Sequence, residues 1–237
     1  MIRVVVNLAQ AAFLIVWSIF WISLAFLLAL VTLNREVPLM MARRYWAPAL
    51  IRVSGARLKV DSFPVFDWSK PHIFVMNHQS MLDIPIAFSV LPVNLHFIAK
   101  HNLKYVPFVG WYMWMTGMIF INRSQRSQAF KSIQRAAERV RNGANIIAYP
   151  EGTRSRTGDI LPFKKGIFAL ALEAKVPIVP VLIRGSGDVV PPDGFCLRGG
   201  AVRVQVGQPI EVGDRAAGER DQLMREVHAT MEKMLAG

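Results

Sequence analysis

A histidine and an aspartate five residues apart, His78 and Asp83, are the residues best placed for acid–base chemistry in this sequence. They lie in the stretch NHQSMLD (77–83), directly after an apolar run that is typical of a buried β-strand. If Ser80 caps the helix that follows, Asp83 falls in its first turn and its carboxylate can fold back to the imidazole. That carboxylate would hold one tautomer and stabilise the imidazolium that forms after proton abstraction. Taken alone, however, a histidine near an aspartate in a loop is more often structural.

A second polar turn, YPEGTRS (149–155), also follows an apolar strand. Gly152 permits close approach of the backbone, and Arg154 offers a planar fork that can grip a phosphate through two parallel hydrogen bonds. Glu151 could accept hydrogen bonds from substrate hydroxyls or hold Arg154 in place. Taken alone, a solvated turn with a surface ion pair explains this stretch equally well.

Two further stretches carry weaker signals. GMIFINR (117–123) places Arg123 at the end of another apolar strand, where an arginine is by default a surface charge. VPIVPV (176–181) reads as a strand whose two prolines limit its pairing, which is typical of an edge strand.

Short apolar runs alternate with helical stretches from about residue 56 onward. Helices are predicted over 80–91, 124–142, 166–174 and 214–235, and strands over 72–77, 95–99, 117–121, 144–149, 177–183 and 201–206. This alternation predicts an α/β domain with a mixed, largely parallel sheet flanked by helices. Sites in such sheets form where strands end, which is where His78 falls.

The chain begins with an apolar segment that predicts a membrane anchor. Residues 4–34 form a run of 31 residues without a charge. As a helix this run would be about 46 Å long, longer than the ~30 Å hydrocarbon core of a bilayer. Residues 37–53 mix apolar and arginine residues, as an amphipathic interfacial helix does. A spanning helix and a helix pair that dips into one leaflet both fit.

The charges next to this segment predict its orientation. One basic residue precedes the apolar run, whereas six follow it: Arg35, Arg43, Arg44, Arg52, Arg57 and Lys59. If the helix spans, this bias places the bulk of the protein in the cytoplasm. We therefore expect residues 1–55 to form the membrane anchor and residues 56–237 to form the α/β domain.

Composition narrows the class of protein. Apolar residues make up 53% of the 237 residues, which excludes a disordered chain. The single cysteine, Cys196, cannot form an intrachain disulfide, and no Cys/His cluster has the spacing of a metal site. The net charge of +12 accompanies no nucleic-acid-binding motif. With the apolar start of the chain, this charge favours anionic lipid or phosphorylated substrates over nucleic acid as partners.

The four stretches at 77–83, 117–123, 149–155 and 176–181 together resemble the four sequence blocks of the glycerolipid acyltransferases. The most similar branch is the bacterial 1-acylglycerol-3-phosphate acyltransferases. The resemblance covers roughly residues 70–190 and includes connecting segments such as FIAK (97–100), PFVGW (107–111) and FKKG (163–166). Tyr149 departs from it, because phenylalanine is commoner in the family at that position.

The resemblance implies a reaction and roles for the catalytic pair. His78 would be the general base and Asp83 its orienting partner. The 2-hydroxyl of a lysophosphatidate would attack the thioester of acyl-coenzyme A or acyl carrier protein directly, without an acyl-enzyme and without a cofactor. We expect backbone N–H groups at the helix start near Ser80 to stabilise the developing oxyanion.

The resemblance also implies the substrate-binding residues. Arg123, Arg154 and Lys100 would bind the phosphate of the acceptor, and Glu151 and Gly152 would shape that pocket. Residues 177–181 would form part of the acyl or catalytic wall. The implied location is the bacterial inner membrane, with the catalytic domain on the cytoplasmic side.

Two alternatives remain open from the sequence. The same chemistry could acylate another lysolipid, such as a lyso-aminolipid, in which case the phosphate roles of the arginines would not hold. A non-catalytic membrane-binding scaffold is the alternative from a different class. A scaffold has no need for His78 and Asp83 at this spacing together with two arginine-bearing turns.

Overall fold

The chain forms a mixed β-sheet flanked by helices, as the sequence predicts. The structure is a computed structural model that describes residues 2–121, 126–194 and 196–237. Within these residues the sheet has seven strands: β1 (Ala56–Ser62), β2 (Ile73–Met76), β3 (Leu95–Lys100), β4 (Ile119–Ile121), β5 (Asn145–Ala148), β6 (Ile178–Arg184) and β7 (Gly200–Val206).

The described helices fall into an N-terminal group before β1 and a group that lies between or after the strands of the sheet. The first group is α1 (Ile2–Thr32), α2 (Glu36–Met41) and α3 (Ala47–Ser54), with a π-helical turn (Ala42–Trp46) between the last two. The second group is α4 (Asp83–Val90), α5 (Val109–Met115), α6 (Arg126–Arg141), α7 (Gly166–Ala174), α8 (Ser186–Val189) and α9 (Arg220–Ala236). Short 3₁₀ segments (His101–Tyr105 and Ala217–Glu219) precede α5 and α9.

The strand order brings several strand ends to one edge of the sheet. The order is β1-β7-β6-β2-β5-β3-β4, and every pair is parallel except β6 with β7. The carboxyl ends of β6, β2, β5, β3 and β4 therefore lie along the same edge. The segments that follow β2, β5 and β6 leave from neighbouring strands, which is the arrangement that builds sites in α/β sheets.

The strand that sequence patterns miss is β1. Its only partner in the described sheet is β7, and most of its side chains are partly or fully exposed. Because Arg57, Lys59 and Asp61 occupy alternate positions, no apolar run marks this strand. The other six strands lie within a few residues of their predicted bounds.

The prediction that β6 is an edge strand is wrong, because β6 pairs with β2 on one side and β7 on the other. Ile178 N–H donates to Ile210 O on the side of β7, and donors alternate in direction along a strand. Pro180 lies two residues after Ile178, so the N–H group that a proline lacks would also point toward β7. There the register shifts by one residue between the Ile178–Ile210 and Val181–Val206 pairs. A proline is tolerated at this position because the ladder is already irregular.

Two apolar layers cover the faces of the sheet. Side chains alternate along β2, so that Phe74 and Met76 join one layer, while Ile73 and Val75 join the other. The first layer contains α4 and buried residues of the 36–54 segment, and the second contains α6, α7 and α9. Side chains of β2 belong to both layers, so the end of this strand is packed on both faces of the sheet.

Helix α1 packs along the 36–54 segment but leaves most of its surface exposed. Gln10 Nε2 donates to Val53 O (2.8 Å), and Trp17 Nε1 donates to Trp46 O (3.3 Å). By length and composition, the part from Val4 to Thr32 could cross a membrane, and only 6% of its most apolar window is buried.

A glycine at the end of β6 meets two steric constraints, so its replacement tests the sheet geometry. Gly185 has φ +83°, and an added Cβ would lie 2.5 Å from Ala201 O. We expect Gly185→Ala to lower the free energy of unfolding by about 1–3 kcal/mol. Thermal unfolding of the solubilised protein, followed by circular dichroism, measures this. Gly218→Ala is the matched control, since its Cβ would meet nothing within 4 Å; equal stability of the two variants would contradict the prediction.

Candidate active site

The candidate site lies where β2, β5 and β6 end at one edge of the sheet. His78 follows β2 by two residues, the 149–155 turn follows β5 directly, and Ser186 follows β6 by two residues. Each of these segments follows a strand whose side chains are buried in the two apolar layers. The packing of those layers therefore fixes the position at which each segment begins.

The central contact joins the two residues that sequence spacing selected. His78 Nδ1 lies 2.8 Å from Asp83 Oδ2. The side chain of Asp83 is fully buried, whereas that of His78 retains 17% exposure. Asp83 is the first residue of α4, where the unpaired N–H groups of a helix favour a negative charge.

Backbone and hydroxyl donors complete the environment of the Asp83 carboxylate. Oδ2 also accepts hydrogen bonds from the N–H groups of Gln79 (2.7 Å) and Ser80 (2.9 Å). Oδ1 accepts one from Ser186 Oγ (2.6 Å). With these donors around it, the carboxylate is an acceptor, so the proton between it and the imidazole belongs on Nδ1 of His78. The second ring nitrogen, Nε2, then carries a free lone pair and is available as a base.

The structure corrects two expectations about the helix start. Helix α4 begins at Asp83, and Ser80 is not its cap; Ser80 Oγ instead accepts from Leu82 N–H (3.1 Å) and donates to Val190 O (2.7 Å). The N–H groups of Gln79 and Ser80 bind the Asp83 carboxylate. The expectation that N–H groups near Ser80 stabilise an oxyanion is therefore wrong for these two and for Leu82, since all three already have acceptors.

The side chain of Asn77 extends the sheet by one residue beyond β2. Its Nδ2 donates to Ile183 O (2.8 Å), and its Oδ1 accepts from Ile183 N–H (2.7 Å). Asn77 is 1% exposed, so this pair of bonds satisfies a buried amide and fixes the backbone directly before His78.

The 149–155 turn binds the backbone of His78 on both sides. Glu151 Oε1 accepts from His78 N–H (3.0 Å), and Ser155 N–H donates to His78 O (2.7 Å). Gly152 N–H closes the turn on Tyr149 O (3.1 Å), and its φ of +70° is one that glycine adopts without strain. His78 and the arginine-bearing turn are therefore joined directly by hydrogen bonds.

Glu151 is buried and electrostatically perturbed. Burial raises the pKa of its carboxyl to about 7, and the N–H groups of His78 and Leu161 partly oppose that shift. Among the described residues Glu151 forms no ion pair with Arg154. Its contacts are with the backbone N–H groups of His78 and Leu161, a role that the sequence did not indicate.

Tyr149 packs directly on the candidate base. Its ring stacks on the imidazole of His78, with the centroids 4.2 Å apart and an angle of 25° between the planes. Burial, and to a smaller extent the charge of Asp83, raises the pKa of its phenol well above the ordinary value. Tyr149 therefore presents a neutral aromatic face to the imidazole.

The structure describes two of the three residues that are predicted to bind the phosphate, Arg154 and Lys100. Arg154 is half-buried in the turn, directly before Ser155, which binds His78 O. Lys100 is the exposed last residue of β3, separated from β2 only by β5, and therefore lies on the same edge of the sheet. Arg123 lies outside the described residues.

Ser186 is the site residue that sequence analysis missed. It is fully buried and lies 103 positions from the aspartate that it contacts. The available signal was weak: a glycine and a serine directly after a buried strand. No spacing rule links that pair to a histidine motif in another part of the chain.

Comparison with known proteins places these elements in one family. A family model described as acyltransferase matches residues 51–184, more than half of the chain. The chain is 38% identical over 166 residues to "1-acyl-sn-glycerol-3-phosphate acyltransferase" of Saccharomyces cerevisiae, covering 65% of this chain and 55% of that protein. It is 37% identical over 178 residues to the human "1-acyl-sn-glycerol-3-phosphate acyltransferase beta", covering 75% of this chain and 64% of that protein.

A solved structure shares the whole fold. The crystal structure of the 1-acyl-sn-glycerophosphate (LPA) acyltransferase PlsC from Thermotoga maritima superposes with a TM-score of 0.79 at 24% identity, covering 99% of this chain and 97% of that one. The curated relatives are longer, and the chain spans between about half and two thirds of their length. On the extent of the family match, which covers β2 to β6, the His78–Asp83 pair and the 149–155 turn, this chain belongs to the acyltransferase family.

Proposed function

We propose that this protein is a membrane-bound 1-acylglycerol-3-phosphate O-acyltransferase. It moves a fatty acyl group from acyl-coenzyme A or acyl carrier protein to the 2-hydroxyl of the acceptor, giving phosphatidate for phospholipid synthesis. The observation that carries the proposal is the contact between His78 and a buried Asp83, with the 149–155 turn bound to the same histidine. The names of the relatives support the choice of acceptor.

The reaction needs a base because an alcohol is a poor nucleophile at neutral pH. Nε2 of His78 takes the proton of the 2-hydroxyl as its oxygen attacks the thioester carbonyl, and Asp83 stabilises the imidazolium. The tetrahedral intermediate collapses with loss of the thiolate, so that an ester C–O bond forms and the C–S bond breaks. The imidazolium then returns its proton to the thiolate.

The hydrogen bonds made by two serine hydroxyls near His78 and by the single cysteine favour direct transfer, without an acyl-enzyme. The Oγ atoms of Ser80 and Ser186 bind Val190 O and the Asp83 carboxylate, respectively. Cys196 lies exposed and accepts a hydrogen bond from Asn7. A nucleophile needs a base within hydrogen-bond reach, and these three groups have other partners.

The acceptor's phosphate is assigned to the arginine-bearing turn and its neighbours. In this proposal Arg154 grips the phosphate, Lys100 adds charge from the end of β3, Arg123 adds a further charge, and Gly152 leaves room for the headgroup. Glu151 fixes the turn to His78, so that the phosphate site and the base keep a constant separation.

Residues 1–55 are assigned to the membrane anchor and residues 56–237 to the acyltransferase domain. The exposed apolar surface of α1 supports membrane attachment, and the six basic residues that follow it favour the cytoplasmic face of the inner membrane. A tethered site can take up an amphiphilic acceptor without moving its whole acyl chain through water.

The first test removes the base. We expect His78→Ala to lower kcat by about 10²–10⁴-fold, because a positioned general base typically contributes that factor. Purified protein in nanodiscs would be assayed with labelled acyl-coenzyme A and acyl carrier protein donors against a panel of lysolipids, and circular dichroism would check the fold. Near-normal turnover by a folded variant would count against the mechanism.

The second test concerns recognition of the acceptor. Arg154→Ala should raise KM for lysophosphatidate by about 10–100-fold, the value of a lost charged hydrogen bond or two, and leave KM for the donor unchanged. Arg156→Ala is the matched control, since Arg156 is in the same loop but pairs with Asp193 (2.9 Å). A change confined to the donor, or a preference for an acceptor without phosphate, would overturn the phosphate assignment.

The third test concerns Ser186 as a positioning residue. Ser186→Ala should lower kcat about tenfold with both KM values unchanged, because Asp83 loses one of its donors and holds the imidazole less firmly. Ser89→Ala is the control, since Ser89 Oγ is buried without a described partner. Recovery of kcat in Ser186→Thr would support the assignment, whereas equal losses in the two alanine variants would indicate a packing effect.

A further inference from the structure

A second polar cavity lies at the end of the sheet opposite the candidate active site. It has a volume of about 770 Å³ and is lined by the start of β3, the start of β5, the end of α6 and the segment that follows α1. His96, at the start of β3, pairs with Ile146, which pairs with Ile73, five residues before His78. At ~3.3 Å per residue, the cavity and the catalytic imidazole are roughly 16 Å apart along the strands.

Positive charge dominates the cavity. Arg43 and Arg139 line it, and Arg35 is near enough to act on Arg139 electrostatically. The acidic residue of the lining, Glu36, already receives a hydrogen bond from Asn94 Nδ2 (2.8 Å). The two arginines that line the cavity therefore outnumber its one carboxylate, and an excess of one positive charge faces a space that is open to solvent.

Burial disfavours the charged forms of Arg139 and His96 in this lining. Burial, and then repulsion from Arg35, lowers the pKa of Arg139, although one of its nitrogens donates to Gly117 O. Burial, and then repulsion from Arg139, lowers the pKa of His96, which is 3% exposed. Glu36 opposes both shifts, and its Oε1 lies 3.9 Å from His96 Nε2, so a bound anion would add to an interaction that is already present.

Two buried polar atoms of the lining lack partners among the described residues. They are Arg43 Nε and Asn94 Oδ1. A buried donor without an acceptor is unfavourable, and a small shift of Arg43 toward the cavity would bring its guanidinium to a bound ligand. Arg139 offers a second guanidinium from the end of α6, and guanidinium groups donate to phosphate oxygens.

The place of the cavity in the chain points to an amphiphilic ligand. Glu36, Val37 and Met40 of its wall follow directly on α1, the apolar helix proposed as the membrane anchor. Apolar side chains of Val37, Met40, Pro92 and Val93 adjoin the arginines. Basic pockets beside membrane helices with an apolar wall suit the headgroup and proximal chain of an anionic lipid.

We propose that this cavity is a second phosphate-binding site, which takes the phosphate group of an anionic phospholipid headgroup or free phosphate and does not take part in acyl transfer. The site is separate from the arginine-bearing turn at the other edge of the sheet. It does not depend on the identity of the reaction.

Local hydrogen exchange tests the site without reference to activity. The full chain would be placed in nanodiscs of phosphatidylcholine alone or mixed with phosphatidylglycerol, and in neutral detergent with or without inorganic phosphate. We expect the anionic ligand to slow exchange of the backbone amides at 93–96 and 139–145. Protection by phosphatidylglycerol alone identifies a headgroup site, and protection by inorganic phosphate identifies a site for the free anion. No protection by either would overturn the proposal.

Two adjacent arginines provide a matched pair of variants. Arg43→Gln removes the guanidinium that lines the cavity, whereas Arg44→Gln removes an exposed one and gives the same net charge. We expect Arg43→Gln to raise the Kd of the protecting ligand about tenfold, as loss of a charged hydrogen bond does. Arg44→Gln should leave that Kd unchanged. Equal weakening in both variants would mean diffuse surface attraction and would overturn the proposal. Circular dichroism would confirm that both variants are folded.

Discussion

The buried carboxylate of Asp83 is the constraint on which the site depends. A carboxylate without water is costly unless donors surround it, and its donors come from two separate parts of the chain. The segment after β2 supplies an imidazole and two backbone N–H groups, and the segment after β6 supplies the hydroxyl of Ser186. The hydrogen bonds to this one carboxylate therefore join two neighbouring strand ends. The same bonds leave Nε2 of His78 as the free basic nitrogen.

The third strand end is joined through the backbone of the histidine and not through its ring. Glu151 and Ser155 hold the N–H and carbonyl groups of His78, while Tyr149 stacks on the imidazole. A movement of the 149–155 turn would therefore move the proposed base. This coupling explains physically why a proposed phosphate site and a proposed base occur on one unit, because reaction requires the acceptor's hydroxyl to lie at a fixed distance from its own headgroup.

Local spacing predicted the parts of the site that are close in the chain. His78 and Asp83 are five residues apart, and apolar runs before His78 and Tyr149 placed both at strand ends. Contacts distant in sequence were not predictable in this way. The bond from Ser186 depends on strand order, and the internal position of β6 depends on a register shift that accommodates Pro180. The start of α4 was placed too early because Ser80 is a good capping residue, but its hydroxyl is bound to Val190 O.

The two ends of the sheet use positive charge in different ways. At the edge that carries His78, the turn that contains Arg154 also contains Glu151, and burial raises the pKa of that carboxyl to about 7, so local charge there depends on pH around 7. At the opposite edge the excess of arginine over Glu36 is permanent, because a guanidinium does not lose its proton in this range. A ligand that turns over must be released, whereas a ligand that fixes the protein at a membrane must stay. Permanent charge beside the end of α1 therefore suits the proposed second phosphate site, and charge that changes with pH beside His78 suits the proposed exchange of substrate and product.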